Sequence, residues 1–482
     1  MKRYSTYITC LWLTIGVLLL SACAHDQWES EGMPASGGSP VRTAQDSCYV
    51  NLHIVGNTQT ATRATATEEN AIYDGILCIF KGNSESTAQL KKAVVIDQLI
   101  NNPGSASSID VIQRLPIGTH PYPAIGDGKI YVMVLLNTTS TGFTVSNDML
   151  YLNSTSLENK TRPQIQNMTV NSVGSPEKHV GLYMASKPKG TGSTPTQTAI
   201  QIYDPNSDNP SQYLYDRQTD ITPSSSKLTL NVERAAAKVK VTNSIGTNLL
   251  TNINLDDNPS RHPKVHAMSW VINNYNTESY AISGGTGHTF TPVTFGASDF
   301  AVYKQRSHQS GEDVYIAENT SATETEVLVE VRLKDESNVL LDDCYKYELW
   351  GNVIFFTDAS HVIEFFKQGW TDSFHNNFIH IGDKDAEEVF CQTKMVINPD
   401  ASVTVTVSNP SFTGAGEQDD LASLSSTLSG TLTGYREGKM YYTYKVKTET
   451  SANVWENKVL HNNVYNLTLQ ASSITGLGRP TP

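Results

Sequence analysis

Apolar and polar positions alternate with a period of two along much of this chain. The alternation is clearest near residue 50, where Val50, Leu52 and Ile54 interleave with Tyr49, Asn51 and His53. That period places one set of side chains on a single face of a β-strand. The stretch that follows, through Ala66, is polar and Thr-rich, has no apolar pattern, and carries one basic residue, Arg63, between small neighbours. A core strand tied to the rest of the chain by a soft, cleavable tether is a sensible arrangement for a removable part.

The same patterning predicts strands along the rest of the chain. Ala71–Phe80 is a near-continuous apolar run closed by Lys81-Gly82-Asn83, which reads as a buried strand ended by a turn. Val94–Ile96, Ile109–Ile112 and Lys129–Asn137 follow, separated by polar loops that are heaviest over 188–198 and 204–225. No amphipathic helix of convincing length interrupts this half. A second unit is expected from Lys227. There Leu228, Leu230 and Val232 occupy even positions, Glu233-Arg234 interrupts, and Val239 and Val241 continue on odd ones. A one-residue phase shift marks a bulge or a crossing between sheets. Further strands are expected at His266–Ile272, Glu326–Leu333, Tyr345–Phe356, Met395–Val407, Lys439–Val446 and Val464–Leu469, with a loop at Asp372–Ile379. The expected class is all-β, a β-sandwich in two units that divide near residue 226.

The N-terminus adds a targeting signal. Lys2 and Arg3 precede the apolar run Leu11–Leu20, which meets Ser21-Ala22-Cys23. This is a signal peptide over residues 1–22, too short for a spanning helix. Leu20-Ser21-Ala22-Cys23 resembles the bacterial lipobox, in which the cysteine is acylated and becomes the new N-terminus, so Cys23 is the expected lipidation site. One acyl chain anchors marginally; two or three would hold the precursor at a membrane. Residues 25–43 are polar and read as a tether.

Composition narrows the function classes. At 482 residues with a net charge of −13, the chain is long enough for two domains and ill suited to nucleic acid or an anionic membrane surface. There is no Walker loop, HExxH or GxSxG, and the twelve His do not fall at ligand spacings, so no enzyme activity, cofactor or metal is expected. Gly284-Gly285-Thr286-Gly287 reads as a hairpin turn. Asp204, Asn206 and Asp208 read as an Asx turn, because Asn209 and Tyr215 stand where a calcium loop needs Gly and Glu. Outside the signal and lipobox, Cys48, Cys78, Cys344 and Cys391 show no paired spacing; export permits disulfides, and buried free thiols are the default expectation. Tyr is plentiful, 22 against 13 Phe, mostly as strand packing, with exposed copies able to stack on sugars.

Several local motifs, taken in order, resemble the fimbrillins, pilus subunits of Bacteroidales fimbriae. They are the lipobox, the Thr62-Arg63-Ala64 junction, the Thr67–Ile72 entry to the second strand, Val232–Val239, Gly438–Tyr442, and Asn462–Leu469 followed by Ile474–Gly478. His461 stands where family members often carry Arg. The resemblance implies two tandem transthyretin-like β-sandwiches after a lipoprotein signal peptide. It also implies a propeptide over residues 23–63 that includes a removable first strand at 48–56, with domains at 64–226 and 227–482. An Arg-specific surface protease would cut between Arg63 and Ala64 at the outer membrane, and the vacated groove would accept a strand from a stalk subunit. Val50, Leu52 and Ile54 would each contribute roughly 1.5–3 kcal/mol by burial. Their sum, roughly 5–9 kcal/mol, rivals the roughly 5–15 kcal/mol stability of a whole domain. Loss of this strand would leave open backbone edges for an incoming one.

Stalk subunits of the family continue well past the Gly-Leu-Gly motif to supply the donor strand, whereas here Arg479-Pro480-Thr481-Pro482 follows it. A donor needs roughly 5–10 residues with alternating side chains, and Pro donates no ladder hydrogen bond. The expectation is a tip fimbrillin, able to accept a strand without giving one, with a surface glycan or protein on a host or bacterium as a candidate adhesive partner. Two other readings stand beside it: an anchor subunit that keeps its lipid, and a surface glycan-binding lipoprotein that never polymerises.

Overall fold

The phase shift at Glu233-Arg234 is where the chain changes sheets. The computed structural model describes residues 47–56, 71–96, 99, 108–117, 128–175, 181–187, 199–207, 212–244, 248–296, 299–349, 352–370, 375–470 and 477–482. Residues 46–482 form one compact unit. Most of the regular structure is β-strand, in sandwiches whose inner faces carry the apolar sets expected from the sequence.

The first lobe is built on a nine-stranded sheet. Its main strands are β1 (Cys48–Gly56), β2 (Gly75–Gly82), β3 (Gln89–Val95), β4 (Ser108–Leu115), β5 (Lys129–Leu136), β6 (Met184–Ser186) and β7 (Leu228–Arg234). Adjacent strands run β1-β7-β6-β5-β2-β3, with β4 joined to the free side of β1. β2 and β5 are apolar at nearly every position because both faces are covered. Leu77, Ile79, Val132 and Val134 point into one core, and Cys78, Phe80, Met133 and Leu135 into another.

After β7 the chain passes through Ala235 into β8 (Ala236–Ser244) and the second lobe. The expected division near 226 thus falls one strand before the change of sheets, since Leu228, Leu230 and Val232 pack with the core of the first lobe. Here β9 (Lys264–Asn273), β10 (Asp313–Ala317), β11 (Glu326–Lys334), β12 (Cys344–Leu349), β13 (Asn352–Phe356), β14 (Gln392–Ile397), β15 (Val403–Ser408), β16 (Lys439–Lys445) and β17 (Val464–Gln470) follow. The sheet β10-β8-β17 faces a sheet containing β9-β11-β16, and Val239, Val241, Trp270, Val329, Val331 and Met440 fill the space between.

A third packing centre lies within this lobe. β12 and β13, together with the hairpin β14–β15, pack on α1 (Ala359–Gly369) and α2 (Ala415–Thr431) around Phe366, Trp370, Phe390, Leu424 and Leu428. Two single-strand expectations are corrected here. Tyr345–Phe356 divides into β12 and β13, and Met395–Val407 divides into β14 and β15 around a turn in which Ala401 takes φ +67°. Asp358 caps α1 by accepting from the His361 N–H at 3.0 Å. In α2, Ser429 Oγ and Ser425 Oγ accept the backbone N–H groups of Val405 and Val407, each at 2.9 Å, so the helix satisfies the outer edge of β15.

Candidate functional site: the seat of the first strand

β1 is a central strand. Along one edge it pairs antiparallel with β4, in register from Cys48 opposite Leu115 to Val55 opposite Ser108. Along the other it meets Leu214–Tyr215 at its start, then runs parallel to β7 from Leu52 opposite Leu228 to Gly56 opposite Val232. Among the described residues β4 pairs with no other strand, so β1 alone ties β4 into the sheet. Removing it would break the pairing along both of its edges and leave an open slot between β4 and β7.

The side chains follow the period read from the sequence. Cys48, Val50, Leu52 and Ile54 are all 0% exposed and share a cluster with Leu77, Ile79, Val111, Val132, Leu228 and Leu230. Cys48 is the member that the apolar alternation did not single out. Burial pushes its thiol up to about 12, with Asp216 adding to the effect. On the other face His53 Nδ1 lies 2.7 Å from Asp110 Oδ1 on β4, and Lys227 Nζ lies 2.8 Å from Asp110 Oδ2. The hydrogen bond from Lys227, and then that from His53, hold the Asp110 carboxyl below the usual carboxylate range. Arg114 Nε donates to Ser47 Oγ at 2.8 Å, just before the strand begins.

Val50, Leu52 and Ile54 are therefore brought together as expected. Cys23, Arg63 and Ala64 lie outside the described residues. Of the four cysteines expected as buried free thiols, Cys48, Cys78 and Cys344 are buried and free, and the correction is Cys391, which is free and exposed because it precedes the hairpin rather than facing a core. Asp204 forms the expected Asx turn, accepting the Asn206 N–H at 3.0 Å, and also pairs with Lys129. Among the described residues, no cluster of His, Cys, Asp or Glu could hold a metal ion, and no helix is long and apolar enough to cross a membrane.

A second polar centre joins the two lobes. His461, just ahead of β17, places Nδ1 3.1 Å from Glu318 Oε2 and Nε2 3.4 Å from Glu233 Oε1 on β7, with Ser283 Oγ 2.8 Å from the same Nε2. Burial alone would lower the imidazole pKa; the two carboxylates more than offset this and raise it to about 10. In turn, burial of Glu233 favours its neutral form, but the bond to His461 wins and keeps its pKa below the ordinary value.

In sequence, no protein family and no curated protein matches the chain. Solved structures that resemble it include a candidate cell adhesion protein from Parabacteroides distasonis, at 14% identity over 65% of this chain and 80% of that one, TM-score 0.34. A fimbrial assembly protein from the same species is 13% identical over 61% of this chain and 84% of that one, TM-score 0.31. The tip fimbrial protein Mfa3 from Porphyromonas gingivalis is 11% identical over 61% of this chain and 80% of that one, TM-score 0.28.

Proposed function

We propose that this chain is a structural subunit of a surface fimbria, of the fimbrillin type, assembled by strand replacement. In this reading residues 1–22 direct export and Cys23 carries the lipid that holds the precursor at the outer membrane. An Arg-specific protease cuts after Arg63, and β1 leaves with the propeptide. A strand from a neighbouring subunit then fills the slot between β4 and β7. The observation that carries the reading is the place of β1. It contributes four fully buried side chains and is paired along both edges, yet it precedes the one basic residue of a polar, Thr-rich stretch at which it could be cut away. A sheet that loses such a strand gains both an apolar trough and unpaired backbone groups, and an extended strand satisfies both at once.

A position at the filament tip, with an adhesive role, is the finer form of the proposal. Arg479 exchanges backbone hydrogen bonds with Tyr441 in both directions at 2.9 Å, so the segment after the Gly-Leu-Gly motif lies against β16 of its own lobe. Gly478 permits this approach: a Cβ there would come within 2.9 Å of the Tyr441 carbonyl oxygen and 3.0 Å of the Tyr442 ring. Arg479 is thus paired within its own lobe, and its backbone is not itself available to a neighbour.

The test is the intact mass and N-terminus of the protein recovered from the surface of cells that make it. A start at Ala64 without lipid supports the proposal. A start at an acylated Cys23 overturns strand removal and leaves a lipid-retaining anchor or a non-polymerising glycan-binding lipoprotein.

A further inference from the structure

The hairpin Thr448–Ser451 and Val454–Glu456 carries an indole that the core does not use. Trp455 is 59% exposed and its neighbour Val454 is 48% exposed. Trp455 overhangs a cavity of about 630 Å³, within the roughly 300–1,000 Å³ typical of small-molecule sites. The walls of that cavity are two extended segments, Lys445–Glu449 and Asn463–Leu467. The lining mixes a flat aromatic surface with polar tips. Asn466 is exposed. Asn463 uses its Nδ2 toward the Tyr465 hydroxyl at 3.4 Å. Lys447 is exposed at the rim.

An extended peptide would need an unbroken free strand edge. The Lys445–Glu449 wall does not offer one, because the Val446 N–H donates to the Thr325 carbonyl at 3.0 Å, and Thr448 and Glu449 already pair with Glu456 and Trp455. The opposite wall belongs to β17, which among the described residues pairs with β8 alone, so its outer edge is the one seat where a peptide would compete. A sugar asks for something different: one apolar surface for the C–H face of its ring, and separate donors and acceptors for its hydroxyls. Those are the groups present.

We propose that this cavity is a carbohydrate-binding site. A pyranose ring stacks on the Trp455 indole, burying its C–H face, while Asn463, Asn466 and Lys447 take its hydroxyl groups. The site lies in the second lobe, and the inference does not rest on the removal of β1.

The test uses the full chain on an array of defined oligosaccharides: glucans, mannans, galactans, N-acetyllactosamine and sialyllactose. Binding is then quantified in solution by quenching of tryptophan fluorescence. Saturable binding of at least one probe is expected. Trp455→Ala should weaken it by about tenfold or more and Asn466→Ala by less, with thermal unfolding of both variants unchanged because both side chains are exposed. If no probe binds, or if Trp455→Ala binds as tightly as the parent, the proposal falls. It also falls if the cavity takes up extended peptides and no sugar, read as new protection of the Asn463–Leu467 amides against hydrogen exchange.

Discussion

Leu52 stands opposite Val111 across the ladder between β1 and β4, and both side chains lie in the core of the first lobe. On its other edge Leu52 is in register with Leu228 of β7. One side chain thus packs where the two neighbouring strands converge. Leu52→Ala should destabilise the uncut chain by about 2–5 kcal/mol, the range for emptying a buried leucine site. Val339→Ala, at an exposed position, should stay within about 0.5 kcal/mol. Chemical denaturation of both variants checks this. Equal effects would mean that β1 is not an integral core strand.

Cys48 offers a direct probe of the same strand. In a variant with Cys10 and Cys23 replaced by Ser, Cys391 alone should react quickly with a thiol reagent while the protein is folded, since Cys48, Cys78 and Cys344 are buried. Burial also disfavours the reactive thiolate at all three. Release of β1 should add Cys48 to the reactive set and leave Cys78 and Cys344 protected. Peptide mapping of the labelled sites reads the result. Fast labelling of Cys48 in the uncut chain would contradict the seat described above.

The sequence made some of this arrangement legible and hid the rest for physical reasons. Alternation at Val50, Leu52 and Ile54 identified an inward face because a strand with one wet side must separate its residues by period two. The near-continuous runs at β2 and β5 likewise announced burial on both faces. The partners of β1 could not be read: pairing with β4 and β7 joins residues about 60 and 175 positions away, and local pattern carries no register between distant strands. The division near 226 missed Ala235 because the turn-rich 204–225 segment looks more like a boundary than a strand that continues across lobes. Helix α2 escaped because only Leu421, Leu424 and Leu428 are buried along 17 residues, and its serines, which disfavour helix interiors, here serve the edge of β15. His461 was visible only as a residue out of place, and its two carboxylate partners come from Glu233 and Glu318, far away in sequence.

The His461 cluster should make stability depend on pH in a defined direction. The imidazole has a folded-state pKa of about 10 against 6.5 for the unperturbed group. Protonation therefore favours the folded state. The stabilisation is complete below about pH 6.5 and is lost as the pH rises toward 10. His461→Arg should keep the charge and flatten this decline. His461→Ala should leave Glu233 and Glu318 without their cation and cost about 1–3 kcal/mol at neutral pH. Unfolding free energies between pH 6 and 10 for the three proteins decide the matter; a parent profile as flat as that of His461→Arg would remove the role assigned to His461.

Ser425 and Ser429 face β15 with a hydrogen-bonding task that alanine cannot perform. Each substitution to Ala should cost about 1–3 kcal/mol by leaving the N–H of Val407 or Val405 unpaired. Hydrogen exchange should show faster turnover at those two amides than at Val396 on the partner strand β14, which is held in the ladder opposite Thr404. Unchanged exchange would mean that water replaces the hydroxyls without loss.

Exchange of β1 for an incoming strand is the most direct measurement. The folded chain is cut with an Arg-specific protease and mixed with a fluorescent peptide of the sequence Cys48–Gly56, and the body, the fragment and the peptide are separated by gel filtration. Strand replacement predicts cleavage after Arg63, release of the N-terminal fragment and uptake of the peptide by the body. A fragment that stays bound without peptide uptake, or an Arg63 that the protease leaves intact in the folded chain, would contradict it.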